Sequence, residues 1–184
     1  MSSPDVQLYG GLWYVFPLVV FLFLTIFLII PFAGWRLYNW IKDKEGYKWL
    51  ANNTENNAIV LTPLDHVNSV EEVSHRNTVM KEAPVANFFI VENETESIEI
   101  AREYNAAYVL VAYPSDVYKL EVMALAAGRN PEDYVPSNLT IEGIESRSIV
   151  KKETIGIKMI YGDEIDGFEK VFDNKRTRIY KLEF

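Results

Sequence analysis

Asp116, Lys119 and Met123 have the residue types and the spacing of a small binding motif. At about 100° per residue, a helix would bring the three side chains within roughly 60° of one another on one face. The simpler interpretation is an i,i+3 ion pair near a helix N-terminus, which contributes only a few tenths of a kcal/mol. Because a three-position pattern also arises by chance, the surrounding elements decide which interpretation is favoured.

The motif follows the clearest strand pattern in the chain. Residues 107–112 form an apolar run with β-branched and aromatic side chains and predict a strand, and residues 115–127 predict a helix that ends at Gly128. Upstream, residues 58–61 predict a short buried strand and residues 67–75 a weak helix. The predicted helix that carries the motif therefore directly follows a predicted strand.

The rest of the soluble part combines both kinds of element. Residues 95–104 predict a helix with Thr95 as its N-cap, and the alternating pattern of residues 154–161 predicts a strand. Residues 168–184 predict a hairpin that turns at residues 173–176. Together these elements predict one mixed α/β globular domain with a C-terminal β-hairpin.

Ahead of this domain, residues 12–33 carry no charged side chain, and 19 of these 22 residues are Ala, Val, Ile, Leu, Phe, Trp or Tyr. About 20 such residues cross a hydrocarbon core as a helix, and the aromatic residues at both ends suit the headgroup regions. A secretory signal is the alternative, although no basic residue precedes the run. We expect a juxtamembrane helix interrupted near Gly46. The predicted divisions are an N-terminal tail at 1–11, a single transmembrane helix at 12–35, a juxtamembrane helix and turn at 36–57, and the α/β domain at 58–184.

The composition excludes several classes of function. The absence of Cys excludes a disulfide framework, a thiolate metal site and a Cys nucleophile, and two His residues leave no multi-histidine metal cage. The net charge is −8, and residues 51–150 carry 16 acidic and 6 basic side chains, which disfavours binding to a phosphate backbone. We therefore expect no nucleic-acid partner, and the residues present assemble no hydrolase triad.

The order of the motifs resembles a known family. Residues 46–54 precede the first predicted strand, Asp65 and Arg76 follow it, the Asp116 motif follows the next strand, and residues 178–182 lie near the end. This order resembles the last membrane span and the C-terminal globular domain of the catalytic subunit of oligosaccharyltransferase, especially the archaeal dolichyl-phosphooligosaccharide–protein glycotransferase. The likeness covers almost the whole chain from the predicted anchor onward.

In that family, a Trp-Trp-Asp-Tyr-Gly motif and a D-x-x-K-x-x-x-M motif form the pocket that reads the Ser or Thr hydroxyl of an acceptor sequon. The second motif is met in full here, whereas residues 63–67 (Pro-Leu-Asp-His-Val) keep only the Asp of the first. Pro63 and Leu64 can supply an apolar wall but no indole donor. The resemblance implies acceptor-binding roles, with His66 and Arg76 in support, for Asp65, Asp116, Lys119 and Met123.

The family's chemistry needs Mg²⁺ or Mn²⁺ held by carboxylates among many membrane helices, beside a lipid-linked oligosaccharide. Asp5 is the only acid before the predicted span, so we expect no metal ligand, no cofactor and no catalytic residue in this chain. The resemblance implies that a polytopic oligosaccharyltransferase partner would supply the metal and the donor. The expected function is acceptor-sequon recognition in protein N-glycosylation, with acceptor polypeptides and the lipid bilayer as further partners.

Two other interpretations stay open at this point. The chain could be a non-enzymatic, membrane-anchored scaffold or protein-binding module, or it could be a fragment of a full-length polytopic glycosyltransferase.

Two opposing signals bear on the membrane orientation. Basic residues follow the predicted span and none precedes it, which alone would place the domain in the cytoplasm. Three sequons, at Asn52, Asn93 and Asn138, are candidate glycosylation acceptors and indicate the opposite side, as does the resemblance. We expect a single-pass cell-membrane protein with an extracytoplasmic globular domain.

Overall fold

A five-stranded mixed sheet organises the domain in the computed structural model, which describes residues 17, 19–21, 30–136 and 140–183. The strand order is β2–β1–β3–β5–β4, with β1 parallel to β2 and β3, and with β5 antiparallel to β3 and β4. The strands are β1 (Ile59–Leu61), β2 (Asn77–Thr78), β3 (Ala106–Ala112), β4 (Phe168–Asp173) and β5 (Thr177–Leu182).

Helices connect and cover these strands. Two short 3₁₀ segments, Val117–Lys119 and Pro131–Asp133, lie on either side of α5. The α-helices are α1 (Ile30–Asn53), α2 (Leu64–Ser74), α3 (Glu82–Ile90), α4 (Glu94–Glu103), α5 (Leu120–Ala126), α6 (Ile141–Glu145) and α7 (Ile155–Tyr161).

The sheet has buried side chains on both faces, which the alternation of β3 shows directly. Val109 and Val111 belong to the larger core cluster with the aromatic rings of α3, whereas Leu110 belongs to a smaller cluster with Leu50 of α1 and Ile179 of β5. Successive residues of a strand point to opposite faces, so an uninterrupted apolar run is what a strand covered on both sides requires. The predicted mixed α/β domain, the strand at 107–112 and the terminal hairpin are confirmed.

The strand predicted at residues 154–161 was wrong, because this segment forms α7. The Thr154 Oγ1 atom accepts the backbone N–H of Ile157 at 3.3 Å, and Gly162 ends the helix at a φ of +85°. Gly156 packs so closely on α3 that a Cβ there would lie 2.6 Å from the Phe89 carbonyl oxygen. Most of α7 is buried, both before and after Gly156, so apolar residues occur around much of the helix. In the sequence they resemble the alternating pattern of a strand.

Two local predictions about helices were also wrong. Helix α1 continues through Gly46 without interruption. The glycine does not break the helix but allows it to lie close to β5, since a Cβ at this position would lie 2.5 Å from Thr177 Cγ2. Helix α4 is capped by Asn93 and not by Thr95, since the Asn93 side chain accepts the N–H groups of Thr95 and Glu96. Gly is compatible with a helix break and with close packing of a continuous helix, and Asn93 and Thr95 both have side chains that can cap a helix.

The helix predicted at residues 115–127 is present only in part. Asp116 lies in a turn, the 3₁₀ segment follows, and α5 ends where expected because Gly128 has a φ of +69°. The Arg129 N–H then bonds the Ala124 carbonyl at 2.8 Å, which closes a Schellman motif. Asp116, Lys119 and Met123 therefore do not share one continuous helical face.

The transmembrane helix predicted at 12–35 falls mostly outside the described residues. In the part of the chain that is described, no helix combines the length and the apolar character that crossing a membrane would need. The chain divides between Ile41 and Lys42 into two units, and the second unit contains the sheet. The membrane span and the predicted boundaries at residues 11, 35 and 57 remain predictions.

Candidate functional site

The two predicted motifs meet at one edge of the sheet. Because β1 and β3 are parallel neighbours, their carboxyl ends lie at the same edge, where α/β sheets commonly bind ligands. Residues 63–65 follow β1 directly, and residues 116–119 follow β3. The sheet therefore brings together segments that are about 50 residues apart in sequence, as the 50-residue separation of His66 and Asp116 shows.

A cavity of about 330 Å³ opens between these segments and α3. Asp65, Lys119 and Met123 all line it, so three of the four predicted acceptor-binding residues surround one space. Apolar side chains form most of the wall, and Glu82 adds a second carboxylate. Ligand sites combine an apolar wall with a few polar groups, and this cavity has that character. The binding roles of the three residues remain predictions.

Asp65 and Lys119 form an ion pair at the cavity, in which Lys119 Nζ contacts Asp65 Oδ2. The Asp65 side chain is 63% exposed and that of Lys119 is 28% exposed. Asp65 lies in the first turn of α2, where the helix dipole favours a negative charge. A carboxylate has lone pairs beyond those used by one ammonium group, and an ammonium group has three donors. The pair can therefore offer both an acceptor and a donor to a ligand hydroxyl.

Asp116 is placed differently from the other predicted acceptor-binding residues. It is completely buried and does not line the cavity. Its Oδ2 atom accepts the N–H of Ala112, the last residue of β3, at 2.7 Å, and its Oδ1 atom lies 2.9 Å from His66 Nε2. Both carboxylate oxygens thus have hydrogen-bond partners within the protein. The geometry does not support direct contact between Asp116 and an acceptor in this cavity.

His66 is a buried residue. Its Nδ1 atom lies 3.0 Å from the Tyr47 hydroxyl, and the residue as a whole is 7% exposed. An ionised carboxylate only accepts hydrogen bonds, so Nε2 donates to Asp116 and, in a neutral ring, Nδ1 accepts a hydrogen bond from the Tyr47 hydroxyl. His66 and Val67 lie on the buried face of α2, whereas Asp65, one residue earlier, faces outward.

Arg76 lies away from the cavity and holds helix ends together. Its Nε donates to Thr54 Oγ1 at 2.8 Å, and Nη2 donates to the carbonyls of Ala51 and Thr54 at 2.8 Å each. Its Nη1 donates to the carbonyls of Ser74 and His75 at 3.0 and 3.4 Å. A guanidinium has five N–H donors, and these contacts use all of them. Arg76 thus closes the C-terminal ends of α1 and α2.

The candidate glycosylation acceptors occupy different settings. Asn52 is exposed in the last turn of α1, and Asn93 is exposed as the N-cap of α4. Asn138 lies outside the described residues. Whether any of these residues carries a glycan stays a prediction. Within residues 17, 19–21, 30–136 and 140–183, no three His, Cys, Asp or Glu side chains are grouped to hold a metal ion.

Sequence reasoning missed Tyr47, Glu82 and Val85. Tyr47 reads as one of several aromatic residues of α1, and nothing in the sequence connects it to His66, which lies 19 residues later. Glu82 and Val85 belong to α3, which lines the cavity but is part of neither motif. Only the packing of α3 beside α5 places these side chains at the cavity.

Comparison with known proteins gives a structural likeness only. No protein-family model matches the chain, and no curated protein matches its sequence. The fold is similar to a crystal structure of the C-terminal globular domain of oligosaccharyltransferase from Archaeoglobus fulgidus. The TM-score is 0.57 and the identity 18%, over 76% of this chain and 96% of that chain.

Two longer structures of oligosaccharyltransferase from the same organism are also similar. One is tethered with an acceptor peptide containing the NVT sequon (TM-score 0.55, 16% identity, 71% of this chain and 23% of that chain). The other is in complex with an inhibitory peptide and a dolichol-phosphate (TM-score 0.55, 14% identity, 71% of this chain and 22% of that chain). At these identities the likeness shows a shared fold, and this chain spans less than a quarter of either enzyme.

Proposed function

We propose that this chain recognises the hydroxyl-bearing residue of an acceptor sequon in protein N-glycosylation and does not transfer the glycan by itself. The observation that carries the proposal is the meeting of Asp65, Lys119 and Met123 around one cavity. The fold shared with an oligosaccharyltransferase C-terminal domain supports a role in the same process.

The chemistry of the cavity suits a Ser or Thr side chain. The Asp65 carboxylate would accept a hydrogen bond from the hydroxyl, and the Lys119 ammonium would donate one to the hydroxyl oxygen. The Met123 thioether and the Val85 side chain lie at the same cavity and would contact the apolar part of the residue. A site that hydrogen-bonds a hydroxyl discriminates against an analogue that lacks it. Because the Asp65 and Lys119 side chains are 63% and 28% exposed, water can replace part of what the analogue loses, and the expected discrimination is that of about one hydrogen bond per partner.

The wider proposal concerns how the chain is placed. A transmembrane helix at 12–35 would anchor the domain at the cell membrane, with residues 58–184 on the extracytoplasmic side. A polytopic oligosaccharyltransferase partner would bring the divalent metal and the lipid-linked oligosaccharide. The peptide and dolichol-phosphate complexes of the structural neighbours are consistent with acceptor polypeptides as partners of this fold.

Isothermal calorimetry on the full-length chain in detergent micelles tests the proposal. A peptide with the sequence Asn-Val-Thr should bind more tightly than the same peptide with Ala in place of Thr. Substitution Lys119→Ala should reduce the ratio of the two dissociation constants about fivefold, because the variant loses the donor to the hydroxyl and keeps the Asp65 acceptor. Equal binding of both peptides by the unsubstituted chain would overturn the proposed function.

Lys158 provides a matched control for this experiment. Its side chain is 27% exposed, close to the 28% of Lys119, and its Nζ pairs with Glu94 Oε1 at 2.8 Å on another part of the domain. Lys158→Ala should therefore leave the peptide discrimination unchanged. A loss of discrimination in both variants would indicate a general effect of removing a paired lysine.

A protein-binding module is the second candidate function. Leu64 and Val122 line the cavity and are 40% and 58% exposed, and Leu125 of α5 is 60% exposed. Exposed apolar side chains grouped beside a cavity are typical of surfaces that contact another protein. Substitution of Val122 and Leu125 by Ser would then abolish partner capture, while the Thr and Ala peptides would bind equally.

A further inference from the structure

Asp116 is a buried titratable residue that the cavity does not use. It is 0% exposed, and its two oxygens contact His66 Nε2 and the Ala112 N–H. Burying a carboxylate is costly unless it is paired and hydrogen-bonded, so this position carries an energetic cost that an apolar residue would avoid. The retained charge needs a physical role that packing alone does not supply.

The contacts of Asp116 join three separate segments of the domain. Tyr47 belongs to α1, His66 to α2, and Asp116 to the turn that follows β3. The hydrogen bonds at 3.0, 2.9 and 2.7 Å run from the Tyr47 hydroxyl through the imidazole and the carboxylate to the backbone of β3. Each member is at most 7% exposed, so water does not compete freely for these bonds.

The residues of this network are close in sequence to the charged pair of the cavity. His66 is the residue after Asp65, and Asp116 precedes Lys119 by three positions. The segment that carries each network residue therefore also carries one partner of the ion pair. Any change in the distance between His66 and Asp116 moves the backbone that positions Asp65 and Lys119.

We infer that Tyr47, His66 and Asp116 are positioning residues that set the separation of Asp65 and Lys119 for reading an acceptor hydroxyl. The inference rests on the proposed function and adds to it the origin of the selectivity. An exposed ion pair contributes at most about 1 kcal/mol and cannot by itself fix two backbone segments. Binding groups must be held to about 0.5 Å by their supporting contacts, and the buried network supplies those contacts.

The inference makes a specific statement about what fails when the network is cut. The apolar wall of the cavity, formed in part by Val85 and Met123, does not depend on the network for its chemistry. A displaced pair would therefore weaken binding of the Thr peptide and leave the Ala peptide bound as before. A residue with a merely structural role would instead lower stability without altering that ratio.

The test compares Thr and Ala sequon peptides by calorimetry on full-length variants, with thermal unfolding recorded for each. Tyr47→Phe removes one hydroxyl and keeps the ring, and it should reduce the discrimination ratio about fivefold, the effect of one lost hydrogen bond. His66→Leu should reduce the ratio to about one. His66→Gln places an amide donor near the Nε2 position, and it should restore the ratio to within about twofold of the unsubstituted chain.

Tyr180 is the matched control for Tyr47. It is buried, and its hydroxyl donates to the Met159 carbonyl at 3.0 Å, the same distance as in the Tyr47–His66 contact. Tyr180→Phe should lower the melting temperature and leave the discrimination ratio unchanged.

Two outcomes separate this inference from the proposed function. In the first outcome, the unsubstituted chain discriminates between the peptides, Tyr47→Phe shows the same ratio as Tyr180→Phe, and His66→Gln shows the same ratio as His66→Leu. This outcome overturns the positioning role and leaves the proposed function standing. If the unsubstituted chain binds both peptides equally, the proposed function fails and the positioning role fails with it.

Discussion

The edge of the sheet contains two ionisable pairs that come from the same two segments and lie in opposite environments. Asp65 and Lys119 meet at the cavity with side chains 63% and 28% exposed, whereas the His66 and Asp116 side chains are 9% and 0% exposed. In sequence, His66 is one position after Asp65, and Asp116 is three positions before Lys119. The same two segments thus form one pair of basic and acidic residue types in the interior and another at the surface.

The difference teaches how a binding site divides its requirements. A pair that contacts a ligand must stay accessible, and accessible charges interact weakly because water screens them. A pair that fixes the backbone must be buried, where each lost partner is costly. The proposed division follows these two depths, with recognition by Asp65 and Lys119 and rigidity from His66 and Asp116.

The largest effect is expected from Asp116→Ala, which removes the buried acceptor of two hydrogen bonds. The His66 Nε2–H and the Ala112 N–H would be left buried without that partner, so the free energy of unfolding should fall by about 3 kcal/mol. Urea unfolding monitored by circular dichroism measures this change. A loss below about 1 kcal/mol would contradict the division between the pairs.

A second variant sharpens the rule that a buried polar group needs a partner. Thr62 follows β1, is 0% exposed, and its hydroxyl has no hydrogen-bond partner among the described residues. Thr62→Val replaces that hydroxyl by a methyl group of similar size and should raise the free energy of unfolding by about 1 kcal/mol. If urea unfolding shows destabilisation instead, the hydroxyl has a partner and the rule does not apply here.

The smallest effect is expected from Asp65→Asn in the exposed pair. Because the Asp65 side chain is mostly in water, the free energy of unfolding should change by less than about 0.5 kcal/mol, and less still at high salt. The same urea measurement at low and high ionic strength provides the check. A change as large as that of Asp116→Ala would remove the distinction between the two depths.

Much of the fold could be predicted where local pattern and tertiary environment agree. The apolar run of β3 indicated a covered strand, and Gly128 indicated the end of α5, since φ is positive there. Helix α7 could not be predicted in the same way. Its capping residues, Thr154 and Gly162, were present in the sequence, but burial on both sides of Gly156 masked the helical period.

The candidate site was predictable only in its residue types. The family resemblance implied Asp65, Lys119 and Met123, and the sheet brings these three to one cavity. The same resemblance also implied Asp116, which the structure buries, and Arg76, which holds helix ends. A linear spacing says which residues are near in sequence, but it does not say which side of a turn each side chain takes.

By itself, the sequence determined the mixed α/β class, the covered central strand and the C-terminal hairpin, because these follow from local periodicity and turn chemistry that act over a few residues. Only the tertiary structure decided that His66 and Asp116 lie in the interior and contact each other, and that Tyr47 and Glu82 belong near the site. The reason is physical: burial and pairing depend on the packing of segments that are distant in sequence, and one residue of rotation on α2 separates an exposed carboxylate from a buried imidazole.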